Sequence, residues 1–273
     1  MMSRRSIFFL FFTFAVVVGW TGHGLAWGDV AYRRALEEAI DALPKPLKNF
    51  YKDRKVYLMQ QLEDVTITAP RSVFEVDLLE PFPFDNLSLD RESAVRTYGE
   101  DKLGEVGDLP WRMLETYEKL TEAFRQMDLE TIDMLSAELV LYVADLSQPL
   151  IVSKEGDGDM IGQEGFRERF DSRLLDVYGS KLKVDASTAI YLDDPNAYII
   201  SVLVRSYVWV DNLLLYDYLS RKGVSSYDRF YYEGLWLRAE AIVNERISDA
   251  AEDVASYWYT AWSKAGRPDL PKD

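Results

Sequence analysis

Apolar positions along this chain recur mostly at helical spacing. Val30 to Leu43 predicts a first helix closed by Pro44, and Leu47 to Leu62 a second. Thr66 to Pro83 loses the period and carries Pro70, Pro81 and Pro83, so an extended or irregular segment is expected there. Arg91 to Tyr98 reads as a short helix. Leu109-Pro110-Trp111 opens another, because a proline in the first turn gives up an N–H that has no partner there. Asp128 is placed to cap the next helix, which runs to Gln148 and stops at Pro149. Gly165 to Tyr178 is helical, Asp194-Pro195 starts a long helix to about Leu219, and Ser226 to about Ala265 is nearly all helix. Trp236, Ile242, Ile247, Val254, Trp258 and Trp262 fall on related faces of this last element. No internal repeat and no long linker divides the chain. The pattern predicts an all-α fold, a single multi-helix domain over residues 27–273.

The N-terminal stretch departs from this pattern. Arg4 and Arg5 precede an uncharged apolar run from Ile7 to Trp20, and Gly24-Leu25-Ala26 supplies small residues at a cleavage site. The run is shorter than the roughly 20 residues a membrane span needs. Residues 1–26 are therefore expected to be a secretory signal, which places the protein in the periplasm or outside the cell, with no stable membrane insertion after cleavage. Cleavage after Ala26 would make Trp27 the first residue and Gly28 the second.

Composition narrows the chemistry. The chain has 31 Lys plus Arg against 46 Asp plus Glu, a formal charge of −15; loss of Arg4 and Arg5 leaves 29 against 46, or −17. Nucleic acid is not an expected partner, since its binding relies on a basic surface that displaces counterions. The whole-chain charge also disfavours anionic membrane surfaces. The acid excess itself reads as a solubility device. Cysteine is absent, and the single histidine, His23, lies within the leader. The exported chain thus carries no imidazole and no thiol, which excludes Ser-His-Asp and Cys-His devices and removes the commonest transition-metal ligands. A glycoside hydrolase needs only two carboxylates, but acids are so frequent here that a pair carries no information. No Gly-rich phosphate loop or dinucleotide fingerprint is present.

Smaller signals are weaker still. Counting from Asp157, the loop Asp157-Gly158-Asp159-Met160-Ile161-Gly162 puts Gly162 and Glu168 at the glycine and bidentate-acid positions of a calcium loop, but Ile161 fills a ligand position, so the loop reads as a solvated acidic turn. Tyrosines and tryptophans between Tyr191 and Trp236 fit helical core packing better than a binding groove. Asn86-Leu87-Ser88 is a formal glycosylation sequon, meaningful only in a eukaryotic host.

Three segments carry a resemblance. Leu141-Tyr142-Val143-Ala144-Asp145-Leu146-Ser147-Gln148-Pro149-Leu150-Ile151 is similar to H-Y-V-x-D-x-H-Q-P-L-H; Gly162 to Asp171 is similar to G-x-x-G-[IL]-H-S-R-F-E; and Trp258-Tyr259-Thr260-Ala261-Trp262-Ser263-Lys264-Ala265-Gly266-Arg267-Pro268 is similar to W-Y-x-A-W-x-x-A-G-x-P. Leu109-Pro110-Trp111, Phe82-Pro83-Phe84-Asp85 and a Trp27-Gly28 start fit the same scheme. In this order, over Trp27 to Asp273, the chain resembles the secreted zinc-dependent phosphodiesterases that include bacterial phospholipase C and the single-strand-specific nucleases. The resemblance implies the helical fold of that family and a site built for three zinc ions, held by the N-terminal Trp, five histidines and three carboxylates.

Carried over residue by residue, the resemblance implies that most of those ligands are gone. Trp27 matches the N-terminal ligand. Tyr32 stands where nucleases have a histidine. A second histidine falls at Ser72 or Val73, and the acid upstream of it matches Asp64. Leu141, Ile151 and Arg167 replace three more histidines, while Asp145 and Asp171 keep their carboxylates. Leu and Ile bind no metal, and the permanent cation of Arg167 competes with one. Without metal, buried carboxylates need another cation or become protonated. Arg167, four residues before Asp171, and the α-ammonium of a processed Trp27 are the expected counter-ions. The expected function is that of a pseudoenzyme with no cofactor, binding a ligand or protein of unspecified chemistry in the old cleft or acting structurally in the envelope. The alternative is a phosphodiester hydrolase using fewer or harder divalent metals on Trp27, Asp64, Asp145 and Asp171.

Overall fold

Two helices, one of them buried on nearly every side, organise the molecule. The computed structural model describes residues 27–68 and 73–271; the expected signal segment and Ser72 lie outside them. Among the described residues there is no strand, and the protein is all-α. The chain runs through α1 (Asp29–Ala42), α2 (Leu47–Asp53), α3 (Lys55–Thr68), α4 (Arg91–Tyr98), α5 (Glu100–Val106), α6 (Leu109–Gln126) and α7 (Leu129–Leu146). It continues through α8 (Phe166–Glu168), a π-helical turn (Arg169–Arg173), α9 (Leu174–Tyr178), α10 (Pro195–Tyr207), α11 (Val210–Arg221) and α12 (Arg229–Lys264).

Every residue of α7 from Leu139 to Leu146 is buried, as expected of a helix apolar all round. α3 and α6 flank it, and α12 crosses it. α12 is 36 residues long, roughly 54 Å at helical rise, and also receives α1, α6 and α11. Buried apolar residues form one contiguous cluster from Trp27 to Trp262. At its centre Tyr51 stacks on Trp258 at 4.4 Å between ring centroids.

Caps follow local chemistry. Asp128 accepts from Thr131 N at 3.3 Å and starts α7; Asp194 accepts from Asn196 and Ala197 N and starts α10; Asp228 accepts from Phe230 and Tyr231 N and starts α12. Three expectations need correction. The helix expected over Leu47 to Leu62 is two helices with Arg54 between them, where its guanidinium forks onto the Asp133 carboxylate of α7, Nε to Oδ1 at 2.7 Å. The long helix expected from Asp194 is interrupted at Val208-Trp209. α5 was not expected at all; its ends are Gly99 and Gly107, both at positive φ. Gly107 is required there, because a Cβ would lie 2.1 Å from the Val73 carbonyl oxygen.

Of the stretch expected to be irregular, Thr66 to Thr68 belong to α3, and residues 73–83 are irregular apart from a 3₁₀ turn at Val76–Leu78. Phe74 N donates to Ile151 O at 3.1 Å and Val76 N to Val152 O at 3.2 Å. These bonds lay the stretch along the segment that follows α7. The run Pro195–Arg221 is apolar enough by length and composition to cross a membrane, with 39% of its most apolar window buried.

Candidate functional site: a buried polar cluster at the start of α1

Trp27 precedes α1 with 1% exposure. Its indole Nε1 donates to Ala144 O of α7 at 2.8 Å, and its ring lies 6.0 Å from that of Phe170. Gly28 N donates to Asp171 O at 2.9 Å, so the chain enters α1 pressed against the π turn. One turn into α1, the Tyr32 hydroxyl accepts from Trp27 N at 3.1 Å and donates to Asp145 Oδ1 at 2.6 Å. Asp171 accepts from the Gln148 side-chain amide, whose oxygen in turn accepts from Leu150 N. Trp27, Tyr32, Asp145, Gln148 and Asp171 are all buried, and three separate segments supply them.

Electrostatics bind the group further. Burial raises the Tyr32 phenol well above its ordinary value; the Asp145 charge and hydrogen bond push the same way, the Trp27 N–H opposes, and Asp171 adds a smaller upward push. The phenol therefore stays protonated and keeps donating to Asp145.

The remaining expected positions are distributed differently. Leu141 and Ile151 are core side chains, each 1% exposed. Arg167 is buried, but among the described residues the carboxylate within ion-pair range of its guanidinium is Glu75, at 3.9 Å, and not Asp171. Their partners set the difference: Asp171 takes the Gln148 amide from the segment after α7, while the Arg167 guanidinium lies where Gly156 leaves room, on the side of Glu75. Asp64 is exposed on α3, about half a turn of the helix away from Leu62 and Thr66, which line the shallow cleft beside Tyr32. No hydrogen bond or ion pair among the described residues joins Asp64 to the cluster. Val73 is half-buried against Gly107.

The acidic loop is also not convergent. Asp157 accepts from Arg167 N at 3.1 Å, Asp159 is exposed, and Glu168 reaches Arg173 at 3.6 Å. Gly156 makes room for Arg167: a Cβ there would lie 2.9 Å from its guanidinium and 1.8 Å from Leu150 O. Gln148 and Glu75 are the members that sequence reasoning missed. Gln148 stands in the quoted motif without a role, and Glu75 lies two or three residues after the histidine position at Ser72 or Val73, in a segment where no role was expected of it.

Zinc does not fit this arrangement. The Tyr32 hydroxyl lies at hydrogen-bond distance from both Trp27 N and Asp145, the amide on Asp171 is a donor and not a ligand, and Leu141 and Ile151 have no lone pairs to offer. Among the described residues no group of three or more His, Cys, Asp or Glu is placed to hold a metal ion. The cleft beside Tyr32 has room for no more than about one water. A groove of about 770 Å³ lies elsewhere, between α6 and α7, and none of the cluster's residues lines it. Neither a scan against protein-family models nor a search of curated proteins finds a match to this chain.

Proposed function

We propose that this chain is an exported, non-enzymatic relative of the zinc-dependent phospholipase C and nuclease family, in which hydrogen bonds replace the metal centre. One observation carries the reading. Trp27, Asp145 and Asp171, three of the four residues that the resemblance aligns with retained ligands, are far apart in sequence yet joined through Tyr32 and Gly28 at 2.6 to 3.1 Å. The replacements are just as consistent. A phenol stands where a histidine is expected, two aliphatic side chains fill histidine positions inside the core, and the cleft beside Tyr32 holds no more than about one water.

The role that follows is structural. The cluster ties the start of α1 to the end of α7 and to the π turn, fixing three segments by polar contacts in a dry environment where such contacts are strong. Cleavage after Ala26 would turn Trp27 N into an ammonium linked to Asp145 through the Tyr32 hydroxyl. A second carried-over feature, the Trp258-to-Pro268 segment, closes the core: Trp258 Nε1 donates to Ser136 O at 3.2 Å and Trp262 Nε1 to Pro268 O at 3.1 Å.

Metal analysis of the purified exported protein, paired with hydrolysis of a chromogenic phosphodiester before and after chelation, tests the reading. The expected result is substoichiometric metal and no chelator-sensitive hydrolysis. Stoichiometric metal with turnover overturns it and installs the hard-metal hydrolase in its place.

A further inference from the structure

We infer that the groove between α6 and α7 is a binding site for a linear aliphatic polyamine, with Glu138 as its principal counter-ion. The groove encloses about 770 Å³, within the range of small-ligand sites. Val65, Ala123, Met134, Leu135 and Tyr142 give it apolar walls, and Glu122, Asp128 and Glu138 are the acids that line it. Glu138 is half-buried. Tyr142 OH donates to its Oε1 at 2.9 Å and Thr116 Oγ1 to its Oε2 at 3.2 Å. Two hydroxyls thus hold the carboxylate in place while further lone pairs remain for a ligand. No ion pair joins Glu138 to a described residue, although a charge drawn out of water favours a cationic partner.

Charge selects the occupant, and the count covers every helix around the groove. α3, α6 and α7, with the turn between the last two (residues 55–68 and 109–146), carry 10 Asp plus Glu against 4 Lys plus Arg. Asp133 is paired with Arg54 and Asp145 belongs to the buried cluster, which leaves 8 acids. Arg71, outside the described residues, raises the cations to 5 and does not remove the excess. The described cations are already engaged. Lys119 is the cation among the lining residues, and its ammonium lies 2.8 Å from Glu115. Arg125 is 2.9 Å from Glu122, Lys55 is 2.7 Å from Glu37, and Arg112 reaches Asp108. Lys264 of α12 lies over the ring of Tyr117, which does not line the groove.

An extended polycation fits this groove better than a metal ion. Among the described residues no group of three or more His, Cys, Asp or Glu is placed to hold a metal, so these carboxylates are spread and not convergent. Asp128 caps α7, and Glu138 follows ten residues later, roughly 15 Å along at helical rise. Met134 and Leu135 line the groove between them. A polyamine repeats that alternation: its ammonium groups are separated by methylenes, which lie along apolar side chains as a lysine stem does. The site shares no residue with the cluster around Tyr32, so it stands or falls independently of the family reading.

Isothermal titration of the purified exported protein with spermine is the test. The expected result is one saturable site whose affinity falls as salt rises. Glu138→Gln weakens it by at least about 10-fold, the loss of a charged hydrogen bond. Glu233→Gln, at an exposed acid outside the groove, changes it by less than about 2-fold. Lys119→Gln removes a competing cation and tightens binding by about 3-fold. Met134→Trp fills the groove without altering charge and abolishes binding while circular dichroism stays unchanged. The proposal is overturned by an absence of saturable binding or by undiminished binding to Met134→Trp. Equal weakening by Glu138→Gln and Glu233→Gln, which marks diffuse attraction to an acidic surface, overturns it as well.

Discussion

Two buried carboxylate clusters flank the segment from Gln163 to Asp171, and they are held in different ways. Around Asp217, Arg169 supplies a guanidinium at 3.4 Å, Gln163 and Tyr231 add donors, and the guanidinium also lies 4.0 Å from the Tyr227 ring. Around Asp145 and Asp171 the donors identified are the Tyr32 phenol and the Gln148 amide, and main-chain groups of Trp27, Gly28 and Asp171 complete the connection. The first is a tie between side chains. The second depends on where the backbone of residues 27 and 28 lies, so it is the one sensitive to processing. Both tyrosines are held protonated, by burial first and by their carboxylates next.

Substitutions separate the two. Asp217→Ala leaves Arg169 buried without its partner and is expected to cost about 3–5 kcal/mol; most of this returns when Arg169→Met is added, as read by urea unfolding. Trp27→Ala removes a fully buried indole and is expected to cost a similar 3–5 kcal/mol or so; a loss below about 1 kcal/mol would show that the start of α1 is not part of the core.

Tyr32→Phe removes the hydroxyl between Trp27 N and Asp145 and is expected to cost about 1–3 kcal/mol, because the carboxylate loses a buried donor. Tyr231→Phe is expected to cost less, since Gln163 and Arg169 still hold Asp217. Equal losses would erase the distinction between the clusters.

Alkaline titration sharpens it further. Above pH about 10 the unfolded phenols ionise while the folded ones stay protonated, so the unfolded state binds fewer protons and stability falls as pH rises, by about 1.4 kcal/mol per unit for each such tyrosine. Tyr32→Phe and Tyr231→Phe should each reduce this slope by one proton in urea midpoints measured across the range. An unchanged slope for Tyr32→Phe would place its phenol in water.

The smallest effect is a control outside both clusters. Glu37 is held below its ordinary value, first by its hydrogen bond from Lys55, but the pair is solvent-screened. Glu37→Gln should cost less than about 1 kcal/mol at neutral pH, and the difference should fade as acidification through the lowered value protonates the wild-type carboxylate.

Legibility followed the range of the interaction. Asp128, Asp194 and Pro110 marked helix starts because a cap acts within one turn. The split at Arg54 was illegible, since its cause is a carboxylate on α7, 79 residues away. The π turn was illegible too, since nothing local distinguishes Arg169 to Arg173 from an α-helix, and the bond that Asp171 takes from Gln148 exists only once the segment after α7 is packed alongside. At the site, the family motifs pointed to Trp27, Tyr32, Asp145 and Asp171. They also pointed to Asp64, where the alignment lacked a nearby anchor, and the structure leaves that residue on an exposed helix face.

By itself the sequence determined the helical class, most helix starts and the chemistry that is missing, because propensity, capping and composition are local or additive properties. A chain with no cysteine and with His23 as its single histidine has no thiol and no second imidazole in any fold. Only the tertiary structure decided which polar groups meet. It set the Tyr32 hydroxyl between Trp27 and Asp145, gave Asp171 to Gln148 and turned Arg167 toward Glu75. Those pairings are fixed by how the segments pack, and a hydrogen bond is sensitive to displacements far smaller than sequence spacing can specify.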